Sequence, residues 1–277
     1  MTVPSSSPAS GGTSAPASGI VTLLTDFGTD DPYVGIMKGV VLSLHRDATL
    51  VDLCHGIPAQ GVAIGAFWLA QAYPWFPAGT VHLAVVDPGV GSARAGLVAR
   101  ANGHFFVAPD NGLLSRVAAD GRGFEARRID PGALGFSPPS RTFHGRDVFA
   151  RVAALLSLNA EIFDELGPPH GIAKLALEPP LDEGTRARGR VLAVDRFGNL
   201  LTDLPGTWLE RPRARVELGG HSLRAVGTYA EAGEGECVAL TSSFGLIEVA
   251  ARNSSAAALL GVGANAPVLL QSEGAAP

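Results

Sequence analysis

The stretch Thr80–Arg94, TVHLAVVDPGVGSAR, decides the fold class. Its first half is a short, unbroken apolar run bounded by turn residues, the pattern of a strand buried on both faces. Such strands belong to sheets flanked by helices. The rest of the amino-terminal half carries the matching alternation: IVTLLTD, ATLVDL, GLVARA and HFFVAPD read as further buried strands. Between them, YVGIMKGVVLSLH and GVAIGAFWLAQAYPWF have apolar residues at helical spacing, and GRDVFARVAALLSLNA follows as another helix. The expected architecture over residues 20–171 is therefore an α/β domain with a central, mostly parallel sheet.

From the Pro- and Gly-punctuated segment 172–187, expected to be a linker, the character changes. RVLAVDRFGNLLTDL, RARVELGGHSLRAV, ECVALTSSFGLIEVAAR and APVLLQ read as short strands joined by glycine turns, so a smaller all-β domain is expected over 188–272. Residues 1–19 are rich in Ser, Pro, Ala and Gly. They cannot bury enough apolar surface to offset the entropy of ordering and are expected to form a disordered tail.

The chain is 46% hydrophobic and 17% charged, which is globular in composition. A formal charge of −5 with scattered Lys and Arg leaves no basic stripe for a nucleic-acid backbone. No apolar run approaches the ~20 residues of a membrane span, and the amino terminus lacks the basic start and apolar core of a secretory signal. A cytoplasmic protein with a small-molecule ligand is the expectation. The two cysteines, Cys54 and Cys237, have no metal-ligand spacing and fit a reducing compartment.

Several clusters can carry chemistry. In TDFGTDDPY, Asp26, Asp30 and Asp31 crowd the end of the first strand, where an open α/β sheet binds ligands. Asp30 or Asp31 also suits helix capping, a single carboxylate at Asp26 suits the hydroxyls of a ribose, and all three together suggest a hard cation. The loop after the opening strand, DPGVGSAR, is neither a P-loop, which needs a Lys after its last glycine, nor a dinucleotide fingerprint, since Arg94 stands where the third glycine belongs. It leaves an acid, Asp87, and a guanidinium, Arg94, across a glycine turn at the crevice end of a strand, readable equally as a structural ion pair. In TFHGRDVFA, His144 is a candidate proton carrier. Asp195 and Asn199 in DRFGN, and Ser242, Ser243 and Asn253 in SSFGLIEVAARN, are explained by turn chemistry or by a binding role.

In their order along the chain, TDFGTDDPYVGIMKG, VDPGVGSAR, APDNGLL, TFHGRDVFA, DRFGN and SSFGLIEVAARN resemble the motifs of the S-adenosyl-L-methionine hydroxide adenosyltransferases, relatives of the fluorinase and chlorinase. The resemblance spans residues 21–271. It implies that water attacks C5′ of S-adenosylmethionine, that adenosine and methionine are formed, and that no cofactor is needed. It implies a catalytic Asp-Arg-His set at Asp87, Arg94 and His144. Asp26 would hold the ribose hydroxyls and Asn199 the adenine edge, while Asp31, Asp195 and Ser243 meet the methionine end and Phe143 packs beside the ribose or the water. It further implies a homotrimer whose active sites form between the amino-terminal domain of one subunit and the β domain of its neighbour.

Three positions depart from the halide-using relatives: Asp87 stands for a tyrosine, Gly145 for a serine, and Phe244 for an arginine. An anionic Asp87 would repel halide and favour a nucleophile that carries a proton. The competing readings are a halide-dependent adenosyl transferase, a non-catalytic adenosine or S-adenosylmethionine sensor, and a metal-dependent hydrolase built on Asp26, Asp30 and Asp31.

Overall fold

The computed structural model describes residues 15–120, 122–137, 140–176 and 178–273; most of the expected amino-terminal tail lies outside the described residues. The chain divides into two compact units, one reaching Leu175 and one starting at Ala176. No helix among the described residues is long and apolar enough to cross a membrane.

The first unit is built on strands β1 (Ile20–Thr25), β2 (Thr49–Cys54), β3 (Val81–Val85), β4 (Gly96–Ala101), β5 (His104–Pro109) and β6 (Glu125–Arg128). They form one six-stranded sheet in the order β2-β1-β3-β5-β4-β6. Its helices are α1 (Tyr33–Leu44), α2 (Val62–Ala72), α3 (Ser115–Asp120) and α4 (Ala150–Leu158). Adjacent residues alternate between two cores, as the strand period requires. Leu23, Leu83 and Phe105 enter the core with Met37 and Val41 of α1 and Val152 of α4. Leu24, Ala84 and Phe106 enter the other with Leu69 of α2 and Val117 of α3. Coverage on both faces is what the unbroken apolar runs require.

The sheet is mixed, with its parallel majority on one side and an antiparallel edge on the other. β2, β1, β3 and β5 run parallel, whereas β4 pairs antiparallel with β5 and β6. The reason is local: Asn102 and Gly103 join β4 to β5 with φ of 52° and 80°. An Asn-Gly pair in the left-handed region makes the tight hairpin turn that matches strand twist, and a hairpin is antiparallel.

The second unit contains β7 (Leu181–Asp182), β8 (Arg186–Val194), β9 (Leu200–Pro205), β10 (Arg215–Leu218), β11 (His221–Arg224), β12 (Cys237–Thr241), β13 (Leu246–Ala251) and β14 (Pro267–Gln271), together with a short α-helix, α5 (Ala256–Leu260). Seven strands run in the order β11-β10-β14-β8-β9-β13-β12, and β7 adds beside β8. All these pairings are antiparallel. A bridge between Ala225 and Ala239 brings the chain after β11 against β12, so the sheet nearly closes on itself. Val191, Leu204, Val216, Ile247 and Val249 fill its interior. Within the segment 172–187 lie β7 and the first residues of β8.

Candidate active site

The chain leaves β1 for β2 on one side and then returns to place β3 on the other, which makes the β1/β3 boundary the topological switch point of the sheet. Ligands of open α/β sheets bind in the crevice outside the carboxyl ends at such a point. Thr25 and Val85 are register partners at that end. Asp26 and Asp87 therefore leave neighbouring strands at the same, carboxyl edge of the sheet.

Asp26 is half-buried. Its Oδ2 accepts a hydrogen bond from the backbone N–H of Gln60 at 2.8 Å. Gln60 sits in the left-handed region at φ 63°, a conformation that costs a non-glycine residue on the order of 1 kcal/mol. His55 grips both sides of the Asp26 turn: its carbonyl accepts from Gly28 N at 2.8 Å, and its Nδ1 meets Thr25 Oγ1 at 2.8 Å. On the far side His55 Nε2 meets Asp52 at 2.9 Å, and Lys38 Nζ donates to Asp52 at 2.6 Å. Burial resists the Asp52 charge, but the hydrogen bonds from His55 and Lys38 prevail and hold its carboxyl below the usual range. Asp30 and Asp31 are exposed. Neither caps α1, whose N-cap is Pro32 with no side-chain hydrogen bond.

Asp87, Arg94 and His144 come together. Arg94 Nε donates to Asp87 Oδ1 at 2.9 Å, and its Nη2 donates to Asp87 Oδ2, completing a forked pair. The same Nη2 lies 3.0 Å from His144 Nδ1. The two charged side chains are only 10% and 6% exposed. Arg94 is also fixed from below, with its guanidinium carbon 5.1 Å from the centre of the Phe149 ring. A guanidinium has donors only, so Nδ1 of His144 must be the acceptor and the neutral ring carries its proton on Nε2. Burial pushes the His144 pKa below its ordinary 6.5, the Arg94 charge pushes it further, and Asp87 and Asp147 oppose. The site therefore holds a compensated anion–cation pair beside a neutral imidazole.

His144 stands at the head of a π-helical turn, Gly145–Phe149, that runs into α4. The carboxylate of buried Asp147 accepts from Arg146 Nε at 2.6 Å and from Ser140 N at 3.1 Å. Arg146 in turn lies over the Phe143 ring at 5.3 Å. Phe143 packs edge-on against Phe27 at 6.0 Å and Tyr33 at 5.2 Å. Those contacts tie the Asp26 turn to the His144 segment.

Asp195, Asn199 and Ser243 belong to the second unit. Asp195 Oδ1 accepts from Phe197 N at 2.9 Å and Asn199 N at 2.8 Å, and its Oδ2 accepts from Asn199 Nδ2 at 3.0 Å. Turn chemistry thus accounts for much of this pair's bonding and leaves the Asn199 amide oxygen directed away from Asp195. Nearby, Tyr229 donates to Glu248 at 2.6 Å. Glu248 is 5% exposed; burial raises its pKa, the Tyr229 hydrogen bond opposes, and the Asp195 charge adds to the rise. Ser243 is exposed in the turn between β12 and β13.

The first unit therefore gathers Asp26, Asp87, Arg94, Phe143 and His144, while Asp31 is exposed on the turn that follows Asp26. Among the described residues no group of three or more His, Cys, Asp or Glu is arranged to hold a metal ion. Sequence reasoning missed Gln60, His55, Tyr33 and Asp147. No motif flags backbone strain or a buried acid, although the acid three residues after His144 was visible.

The chain's relatives carry the same architecture. The N-terminal domain of the SAM hydroxide adenosyltransferases matches residues 21–167, and their C-terminal domain matches 189–269. A (R)-S-adenosyl-L-methionine hydrolase of Thermus thermophilus is 42% identical over 259 residues, covering 90% of this chain and 98% of that protein. A fluorinase of Nocardia brasiliensis is 27% identical, covering 86% and 92%. The crystal structure of an uncharacterized conserved protein from Thermotoga maritima superimposes with a TM-score of 0.85 at 32% identity, covering 91% of this chain and 99% of that one. With both domains matched in order across most of its length, the chain belongs to the SAM hydroxide adenosyltransferase family.

Proposed function

We propose that the chain hydrolyses S-adenosyl-L-methionine to adenosine and L-methionine, by in-line attack of water on C5′, with Asp87, Arg94 and His144 as the catalytic set. The observation that carries this reading is Arg94 holding the Asp87 carboxylate and the His144 ring at once, in the crevice that also receives Asp26. The sulfonium leaves as a neutral thioether, keeping the electron pair of the C5′–S bond, so no acid is needed at that end. The work lies in orienting the water and removing its proton.

Roles follow from the bonding. Arg94 stays charged and cannot act as a base. His144 has its Nδ1 engaged by Arg94, so it offers Nε2–H to the water oxygen and aims the remaining lone pair at C5′. Asp87 retains one unused lone pair on each oxygen and accepts the proton as the C5′–O bond forms. Asp26, whose Oδ1 is not used by Gln60, takes the ribose hydroxyls, and Phe143 packs beside the sugar. Asn199 presents its amide oxygen to the adenine amine. Asp31, the remaining Oδ2 capacity of Asp195, and Ser243 serve the methionine ammonium and carboxylate.

The reading needs no cofactor, so turnover is expected to survive a strong chelator. It places the enzyme in the cytoplasm, as a homotrimer in which the groups of the first unit of one subunit work with those of the second unit of its neighbour; light scattering should give three chains per particle. The deciding experiment is a chromatographic assay with S-adenosylmethionine, with and without halide, beside Asp87→Ala and His144→Ala. Equal amounts of adenosine and methionine without halide, reduced at least ~10³-fold in Asp87→Ala, support it. Binding without product would make the protein a sensor, and a halogenated nucleoside would make it a halide-dependent transferase.

A further inference from the structure

The motif APDNGLL has no part in the site described above, yet it touches both ends of the loop that carries Asp87 and Arg94. That loop leaves β3 through Val86 and enters β4 through Ala95. At its entrance, Asn111 Nδ2 donates to the Val86 carbonyl at 2.7 Å. At its exit, Asp110 N donates to the Ala95 carbonyl at 2.9 Å, an oxygen that Arg94 Nη1 also approaches at 3.3 Å. Two consecutive residues just past β5 thus hold the residue before the acid and the residue after the guanidinium.

We infer that Asn111 is a positioning residue for the reaction: it sets where the Asp87 carboxylate sits relative to Arg94 and His144 by fixing the Val86 carbonyl. The inference rests on the proposed roles of Asp87 and Arg94. The Asn111 amide has one orientation, because its Oδ1 accepts from Leu113 N at 3.2 Å and only its nitrogen end can face a carbonyl. Its own backbone is fixed too. Gly112 follows at φ 97°, and a Cβ there would stand 2.8 Å from Leu175 Cγ. The Asp110 carboxylate pins the adjoining segment through Ala173 N at 2.7 Å and His170 Nε2 at 3.1 Å. Val86 is fully buried, so no solvent replaces the lost donor at its carbonyl. The carbonyl would turn in search of another, and the Asp87 side chain, one residue on, would turn with it. A misplacement of about 1 Å at a reacting group costs on the order of 10²-fold in rate.

The test is Asn111→Asp, which keeps the acceptor toward Leu113 and replaces the donor with an oxygen that Val86 repels, with Asn111→Ala as the second variant should the first fail to fold. The expected result is a kcat per folded site lowered 10- to 100-fold, with KM for S-adenosylmethionine and adenosine affinity within about twofold of wild type. A residue that only stabilises the fold would lower the thermal midpoint and the folded fraction and leave kcat per site unchanged; that outcome overturns the inference. A wild type that forms no adenosine would sink the functional reading instead. The inference is then judged on crystal structures, where Asp87 in the variant should have lost its forked pairing with Arg94, and an unmoved pair refutes it.

Discussion

Arg94→Lys preserves charge while removing geometry, and it isolates what the fork contributes. Arg94 bonds Asp87 through Nε at 2.9 Å and through Nη2, and His144 through that same Nη2 at 3.0 Å. A lysine ammonium is a point charge on a flexible stem and can satisfy one of these partners at a time. The substitution removes two charge-assisted hydrogen bonds, each worth about 1.5–3 kcal/mol. Expressed in the transition state, a loss of ~3–4 kcal/mol lowers kcat by roughly 10²–10³. Stability should fall by less, about 1–2 kcal/mol, because Asp87 keeps a cation beside it and is not left as an unpaired buried charge. Single-turnover adenosine formation at saturating substrate gives the rate, and thermal unfolding gives the stability. The same arrangement makes Arg94 and His144 one unit, so Arg94→Lys combined with His144→Ala should lose no more than about threefold beyond the worse single variant. A lysine variant within threefold of wild type, or a double variant whose loss is the product of the singles, would refute the bridging role.

Asp26→Asn keeps an acceptor for Gln60 N but loses the anionic acceptor for ribose hydroxyls, and steady-state kinetics should show KM raised about tenfold with kcat less affected. The acid limb of kcat/KM should fall at a midpoint below 6.5, because His144 must stay neutral to accept from Arg94 and its pKa is lowered by burial and by that guanidinium. His144→Gln should run slower and lose that limb, whereas a midpoint at or above 6.5 in wild type would contradict the assignment. Away from the site, His82 is fully buried and hydrogen-bonded to Thr22 at 2.8 Å and His104 at 3.2 Å. Burial pushes His82 well down, with the neighbouring His104 adding to the effect, and burial pushes His104 down to about 4. Both are neutral when folded and protonate once unfolded, so stability is full above the unfolded value of 6.5 and is lost as pH falls toward 4. The urea midpoint should therefore fall steadily across that window, and an unchanged midpoint between pH 7 and 4.5 would refute it.

The crevice and its acids were legible because their causes are local. Unbroken apolar runs require a sheet covered on both faces, and Asp26 and Asp87 end two of those runs. That Arg94 would reach Asp87 was readable from a short glycine loop; that His144, fifty residues on, joins them came only from the family resemblance, since only the packing of α4 against the sheet sets that distance. The antiparallel β4 was missed although Asn102-Gly103 announced it, because the strand-helix alternation outweighed a two-residue turn. Capping by Asp30 or Asp31 was a sound propensity argument that Pro32 pre-empted at the N-cap. Gln60, His55 and Asn111 act through backbone atoms or through partners distant in sequence, and composition carries no trace of such contacts.

The most direct test of the central claim is to run the reaction in halide-free buffer made with ¹⁸O-water and weigh both products by mass spectrometry. Attack of water on C5′ places one heavy oxygen in adenosine and none in methionine, and this labelling should be lost with turnover in Asp87→Ala. Unlabelled adenosine, label in methionine, or no nucleoside product from a protein that binds S-adenosylmethionine would contradict it.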